Sequence, residues 1–173
     1  MQRLPSRNVR SDVLTAIVVA LASLASYWLV AVLLSKLHSV SPTDDIIGGL
    51  WAAISTIFVS KTSYEQSHAA GLSRVAATLV SFPLCLLYLL FLPFHLWGFA
   101  LLIGLSVLIP MLLGRPGDSA TAAITTAVLL ALAPLSPHHA WEQPILRFAD
   151  TVVGAVIGVA AAWLMRRVPR RPA

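Results

Sequence analysis

Ala52-Ala-Ile-Ser-Thr56 returns seventy residues later as Ala122-Ala-Ile-Thr-Thr126. A second pair of segments follows in the same order. Arg74-Val-Ala-Ala-Thr78-Leu-Val-Ser81 is matched by Arg147-Phe-Ala-Asp-Thr151-Val-Val-Gly154, now seventy-three residues away. Both of these read Arg-x-x-x-Thr-x-x-small. A short match in an Ala-, Leu- and Val-rich chain carries little weight by itself. Two matches in one order, at nearly one spacing, describe a unit that occurs twice, with three residues gained in the loop between the motifs of the second copy.

The solvent for such a unit follows from the composition. Of 173 residues, 58% are apolar and 11% charged, and the mean hydropathy is +0.83. Soluble domains carry about 25% charged residues, so a soluble enzyme, a nucleic-acid-binding domain and a disordered chain are all excluded as readings, and the lipid bilayer is the expected partner. A single cysteine, Cys85, in the apolar run Pro83-Leu-Cys-Leu-Leu87, rules out an intrachain disulfide and a multi-cysteine metal cluster.

A spanning helix needs about 20 mainly apolar residues. Charges and prolines divide the chain into six such segments: Val13–Leu37, Ile46–Ser60, Gly71–Leu92, Phe94–Leu113, Ser119–Leu135 and Ile145–Leu164. The fold class expected is an all-α membrane protein of six transmembrane helices. A cytoplasmic N-terminal segment covers 1–12, the membrane domain 13–165, and a basic cytoplasmic tail 166–173. The first apolar run is longer than the roughly 7–15 residues of a signal-peptide core, so it reads as an uncleaved span. The duplicated motifs fall in the second and fifth, and the third and sixth, segments. The repeat unit is therefore three helices, about 13–92 and 94–165, and an odd number of helices per copy makes the repeat inverted. Inverted repeats are typical of transporters, with the substrate site near the midplane.

With the N-terminus inside, ten lysines and arginines fall on the inner side and two, Lys36 and Arg147, on the outer. That is the asymmetry of a positive-inside protein, and it puts both termini in the cytoplasm. Trp51, Trp97 and Trp141 then lie near the outer interface and Trp163 near the inner one, as belt residues do.

Few polar residues fall within the spans. Ser55, Thr56, Thr125 and Thr126 sit at mid-span in the two shortest segments, where they either line a substrate path or bond their own helix backbone and pack. Arg74 and Arg147 are placed at opposite mouths of matching helices. They either attract an organic anion, since guanidinium groups hold carboxylates bidentately, or snorkel to headgroups. Trp51 is a stacking surface for an aromatic substrate or a belt residue. Asp150 is the one carboxylate well inside a span and shares a helix face with Arg147, three residues earlier. Ionisable residues in a membrane are costly, which makes Asp150 a candidate proton-coupling group or a static ion-pair partner. His138, His139 and Glu142 crowd one loop, but adjacent histidines diverge, and neither a metal nor a cofactor is expected. No nucleophile motif or phosphate loop is present, so an enzyme is not expected either.

Trp51-Ala-Ala-Ile-Ser-Thr-Ile-Phe-Val59, a polar loop, and Arg74-x-x-x-Thr78 together resemble the membrane unit of the fusaric acid resistance (FUSC) and aromatic acid exporter family. Arg147-Phe-Ala-Asp-Thr-Val-Val-Gly-Ala155 looks like that family's second signature, and the resemblance covers about residues 45–165. The chain departs from the pattern at Ala77 and Ser81, where the family usually has glycines. Larger family members carry two membrane units with soluble regions. This chain has one unit, and a homodimer would supply the second, as in the plant malate-type anion channels of related fold. The resemblance implies export of aromatic or other organic carboxylates across a bacterial inner membrane, driven by the proton gradient, with a periplasmic adaptor in some relatives. A passive organic-anion channel and a non-transporting scaffold or accessory subunit are the competing expectations.

Overall fold

The computed structural model describes residues 9–36, 41–61, 63–135 and 140–167. All the regular elements among them are helical. Helix α1 runs Val9–Trp28 and continues directly into a π-helical segment, Leu29–Leu34. It is followed by α2 (Pro42–Val59), α3 (Tyr64–Phe91), α4 (Leu96–Leu112), α5 (Ser119–Leu132) and α6 (Glu142–Arg167). Short 3₁₀ turns, Pro116–Asp118 and Ala133–Leu135, flank α5. Arg3, Arg7, His38, His138, His139, Arg170 and Arg171 lie outside the described residues.

The breaks have local causes. The Ser41 hydroxyl accepts the Asp44 N–H at 3.1 Å and Pro42 takes a first-turn position, which fixes the start of α2. Leu92 precedes Pro93 and is extended (φ −133°, ψ 137°), so α3 stops there and α4 begins beyond His95. Helix α4 ends on Gly114 at φ +72°. The Gly114 N–H bonds Met111 O and the Arg115 N–H bonds Pro110 O, the paired closing bonds of a Schellman end, with Pro116 directly after.

Every start but that of α5 differs from the sequence expectation, and two of the differences bear on the site. Helix α3 begins at Tyr64 rather than Gly71, because Ser63 caps it through the Gln66 N–H and Glu65–Ala70 contains no helix breaker. Helix α6 begins at Glu142 rather than Ile145. The consequence is that Arg74 lies ten residues inside its helix and Arg147 five residues inside, not at the mouths. Without these two, the loop and terminal cations divide nine against one.

Three helical stretches, Asp12–Leu34, Tyr64–Phe91 and Glu142–Arg167, are long and apolar enough to cross a membrane; α4 and α5 are shorter apolar helices. At about 1.5 Å per residue α2 covers about 27 Å and α5 about 21 Å, against a hydrocarbon core of about 30 Å. Large apolar side chains point outward, Phe91 being 80% and Leu96 78% exposed. The interior is lined instead by hydroxyls: Ser26, Ser55, Thr56, Thr78, Ser81, Thr125, Thr126 and Thr151 are all fully buried. Lipid supplies no drive to bury leucine, so the helices associate through small residues and polar bonds.

Helix α6 packs chiefly on α2 and α3, and α5 on α4 and α3. Contacts between α2 and α6 run in step: Asp44 meets Gln143 and Arg147, Gly48 meets Asp150, and Thr56 meets Gly154. The two helices are thus parallel. So are α3 and α5, through Ser73 with Asp118 and Ser81 with Ala122. Helices α3 and α6 are antiparallel, joined by Glu65–Arg166, Gly71–Val159 and Phe82–Phe148.

Candidate functional site: two buried arginines

Interpolating between the Gly71–Val159 and Phe82–Phe148 contacts brings Thr78 level with residue 152, so Thr78 and Thr151 mark the crossing of α3 and α6. The two threonines do the same thing. Thr78 Oγ1 donates to Arg74 O at 2.9 Å and Thr151 Oγ1 donates to Arg147 O at 2.7 Å. Each arginine lies four residues before its threonine, about 6 Å along the axis and on opposite sides of the crossing.

Arg147 is 1% exposed and ion-paired, although its Nε has no hydrogen-bond partner. Its Nη1 lies 3.0 Å from Asp150 Oδ2, and its Nη2 donates to Asp44 O at 3.3 Å. Asp44 in turn accepts Gln143 Nε2 at 2.6 Å and Ser41 Oγ at 2.7 Å. Gly48 makes the arrangement possible: a Cβ there would stand 3.2 Å from Asp150 Oδ2.

Arg74 is 3% exposed. Its guanidinium carbon lies 5.3 Å from the Trp51 ring centroid and 4.8 Å from that of Phe58. Its Nε and Nη1 are buried without a hydrogen-bond partner, and no carboxylate among the described residues pairs with it. The energies do not balance. Two desolvated cation–π contacts return about 2 kcal/mol or more each. Burying an ion costs several kcal/mol, and each unmet donor adds about 1–3 kcal/mol or more.

Trp51 ties the two arginines together. Its ring faces Arg74, and its Nε1 donates to Thr151 Oγ1 at 2.9 Å. The four mid-span hydroxyl residues are all buried among identified neighbours, Thr126 beside Cys85. Thr56 Oγ1 is within 3.0 Å of Ser26 Oγ, Ala52 O and Gly154 O, Thr125 Oγ1 donates to Thr121 O at 2.9 Å, and Ser55 packs against Gly154. Two clefts on the described surface lie elsewhere, one at the α3–α4 turn beside Leu89–Phe94 and one between α1 and α6. No group of three or more metal-ligating side chains occurs among the described residues.

Phe58, Asp44 and Gln143 are absent from the residues that the sequence singles out. Phe58 had a signal, since it lies seven residues after Trp51 and so on the same face of α2. Asp44 reads as a loop charge, and Gln143 gives no sign at all, because both acquire meaning only through contacts about a hundred residues away.

The sequence profile of the fusaric acid resistance protein-like family matches residues 28–161. No curated protein and no solved structure matches the chain. The match spans more than half of the chain and takes in both motif pairs, and it joins three helices apolar enough to cross a bilayer. The chain belongs to the fusaric acid resistance protein-like family and is a multi-pass membrane protein with a role in membrane transport or resistance.

Proposed function

We propose that the chain exports aromatic or other organic carboxylates, with Arg74 holding the carboxylate and the Trp51 and Phe58 rings flanking the organic body. The observation that carries this reading is the buried, carboxylate-free guanidinium between two aromatic rings. A guanidinium offers a carboxylate two parallel N–H bonds, and charge-assisted bonds of this kind are worth about 1.5–3 kcal/mol. Asp150 is the coupling carboxylate in this scheme: it is buried beside Arg147, and Trp51 and Thr151 connect that pair to the anion site.

The same reading makes the six helices a 3+3 inverted repeat across a bacterial inner membrane, with both termini cytoplasmic and a homodimer as the working unit. The nine-to-one division of loop and terminal cations supports the orientation. The parallel α2/α6 and α3/α5 pairs, set around an antiparallel α3/α6 crossing, support the repeat.

Proteoliposomes loaded with a radiolabelled aromatic carboxylate test the function. Efflux should follow an imposed proton gradient, Arg74→Ala should lower apparent affinity about tenfold or more, and Asp150→Asn should leave flux that no longer responds to the gradient. Gradient-coupled flux in the Asp150→Asn protein removes the coupling role. Steady currents without a gradient would instead make the protein a channel.

A further inference from the structure

Helices α1 and α6 run antiparallel. Val30 meets Gly48 and Ser26 meets Thr56, which sets α1 against α2, and α2 is parallel to α6. The three helices converge on one hydroxyl: Thr56 Oγ1 lies 3.0 Å from Ser26 Oγ and 2.9 Å from Gly154 O. Past that junction, residues 14–22 of α1 and 157–165 of α6 line a wholly apolar groove of about 400 Å³, which the single methyl groups of Ala160 and Ala161 leave unfilled. The far end of the groove meets the most basic part of the chain. Arg166 and Arg167 follow directly on Met165, and Arg10 stands in the first turn of α1, four residues before Leu14. In sequence, Arg7 and Arg170 fall within three residues of these helix ends. Two aromatic rings mark this level as headgroup depth: the Arg167 guanidinium stacks on Trp163 at 4.1 Å, and that of Arg166 lies over Tyr64 at 5.8 Å. Asp12 and Glu65 are the acidic residues of these helix ends. Glu65 meets Arg166 at 3.8 Å where both are exposed, so that contact contributes little.

We infer that this groove is an anionic phospholipid site: an acyl chain lies between α1 and α6, and the lipid phosphate sits on Arg166 and Arg167. The depth of the groove selects the occupant. From Arg167 to Ile157 is ten residues, about 15 Å, half of a hydrocarbon core of about 30 Å. That is one leaflet. It suits a lipid tail and not the helix of a second copy, which would follow the seam across the whole core. The charge selects the headgroup, since cations at the mouth of an apolar slot between helices complement an anionic lipid, whereas a zwitterionic lipid brings a cation of its own. The site is independent of the reading of Arg74.

Delipidated full-length protein in detergent tests the inference, by thermal shift and by native mass spectrometry. Dioleoylphosphatidylglycerol should raise the melting temperature and remain bound at one molecule per chain. Dioleoylphosphatidylcholine should bind more weakly, and glycerol 3-phosphate, the headgroup without tails, should give no shift. The double variant Arg166→Gln/Arg167→Gln should weaken phosphatidylglycerol binding about tenfold or more. Ala161→Phe, which fills the groove and leaves both arginines in place, should weaken it comparably. If the phenylalanine prevents folding, Leu21→Trp fills the groove from α1, at a position already 60% exposed. Equal shifts from the two lipids overturn the inference, as does a full shift from glycerol 3-phosphate. Unchanged phosphatidylglycerol binding in a folded groove-filling variant also overturns it, and if that variant turns a dimer into a monomer, the occupant is a second copy.

Discussion

Arg74 and Arg147 occupy corresponding places in the sequence of two halves of one chain, yet one is paired with a carboxylate and the other sits against aromatic rings. Around Arg147 the protein has gathered a carboxylate, a main-chain carbonyl and, through Asp44, a glutamine and a serine. Around Arg74 it has gathered two aromatic rings. The helix seams differ in the same sense. Helix α6 meets α2 through Gly154 and Gly158, so that the backbones touch, whereas α3 meets α5 through the Ser81 hydroxyl and the Cys85 thiol, whose side chains hold the helices apart. The difference teaches that a duplicated framework can put its stability in one copy and leave its binding capacity in the other.

Removing the engaged arginine should have the largest effect. Arg147→Met strands Asp150 and part of the Asp44 network in the interior, and breaking a buried pair in this way costs about 3–5 kcal/mol. Detergent-solubilised protein should melt far lower or fail to accumulate. Arg74→Met, which strands no charge, should leave the ligand-free protein within about 1 kcal/mol of the parent or more stable, because an unpaired buried ion is exchanged for an apolar side chain of similar volume. Equal losses in the two variants would erase the comparison.

Gly154→Ala comes next. The added methyl would collide with Ala52 O, and overpacking of this kind costs about 1–3 kcal/mol, again read from the melting temperature. Its counterpart, Ser81→Ala, gives up one hydrogen bond to Ala122 O without a collision, for about 1 kcal/mol. Trp51→Phe, which keeps a ring against Arg74 and loses the bond to Thr151, should cost about as much as Ser81→Ala, at about 0.5–1.5 kcal/mol. A larger loss there than in Gly154→Ala would mean that the indole, rather than the glycine contact, holds α2 to α6.

Much of this architecture could be read before any coordinates. Leu92-Pro93 and Gly114-Arg-Pro-Gly117 break the chain where their chemistry says they should, and each motif of the first pair packs on a motif of the second, α2 on α6 and α5 on α3. The depth of Arg74 could not be read. An arginine in the first third of an apolar helix reads as a cation reaching for headgroups, and only the polar turn after Ser63, itself helical, draws it inward. The clustering of Asp44 and Gln143 on Arg147 was equally hidden, since neither residue has a local pattern that distinguishes it from a loop residue.

The first helix adds a different consequence. In Leu29–Leu34 the bonding widens, and the Ser35 N–H reaches back five residues to Val30 O at 3.3 Å. A wider turn absorbs an extra residue and advances the angular phase of everything after it by about 100°. A single helical wheel drawn through α1 therefore assigns its last turn to the wrong side. The true phase aims Val30 and Ala31 at the bare backbone of Gly48 and Gly49. Relatives aligned through this stretch without a one-residue gap would lose that pairing, so the gap itself becomes a diagnostic of chains that seat α1 on α2 in the same way.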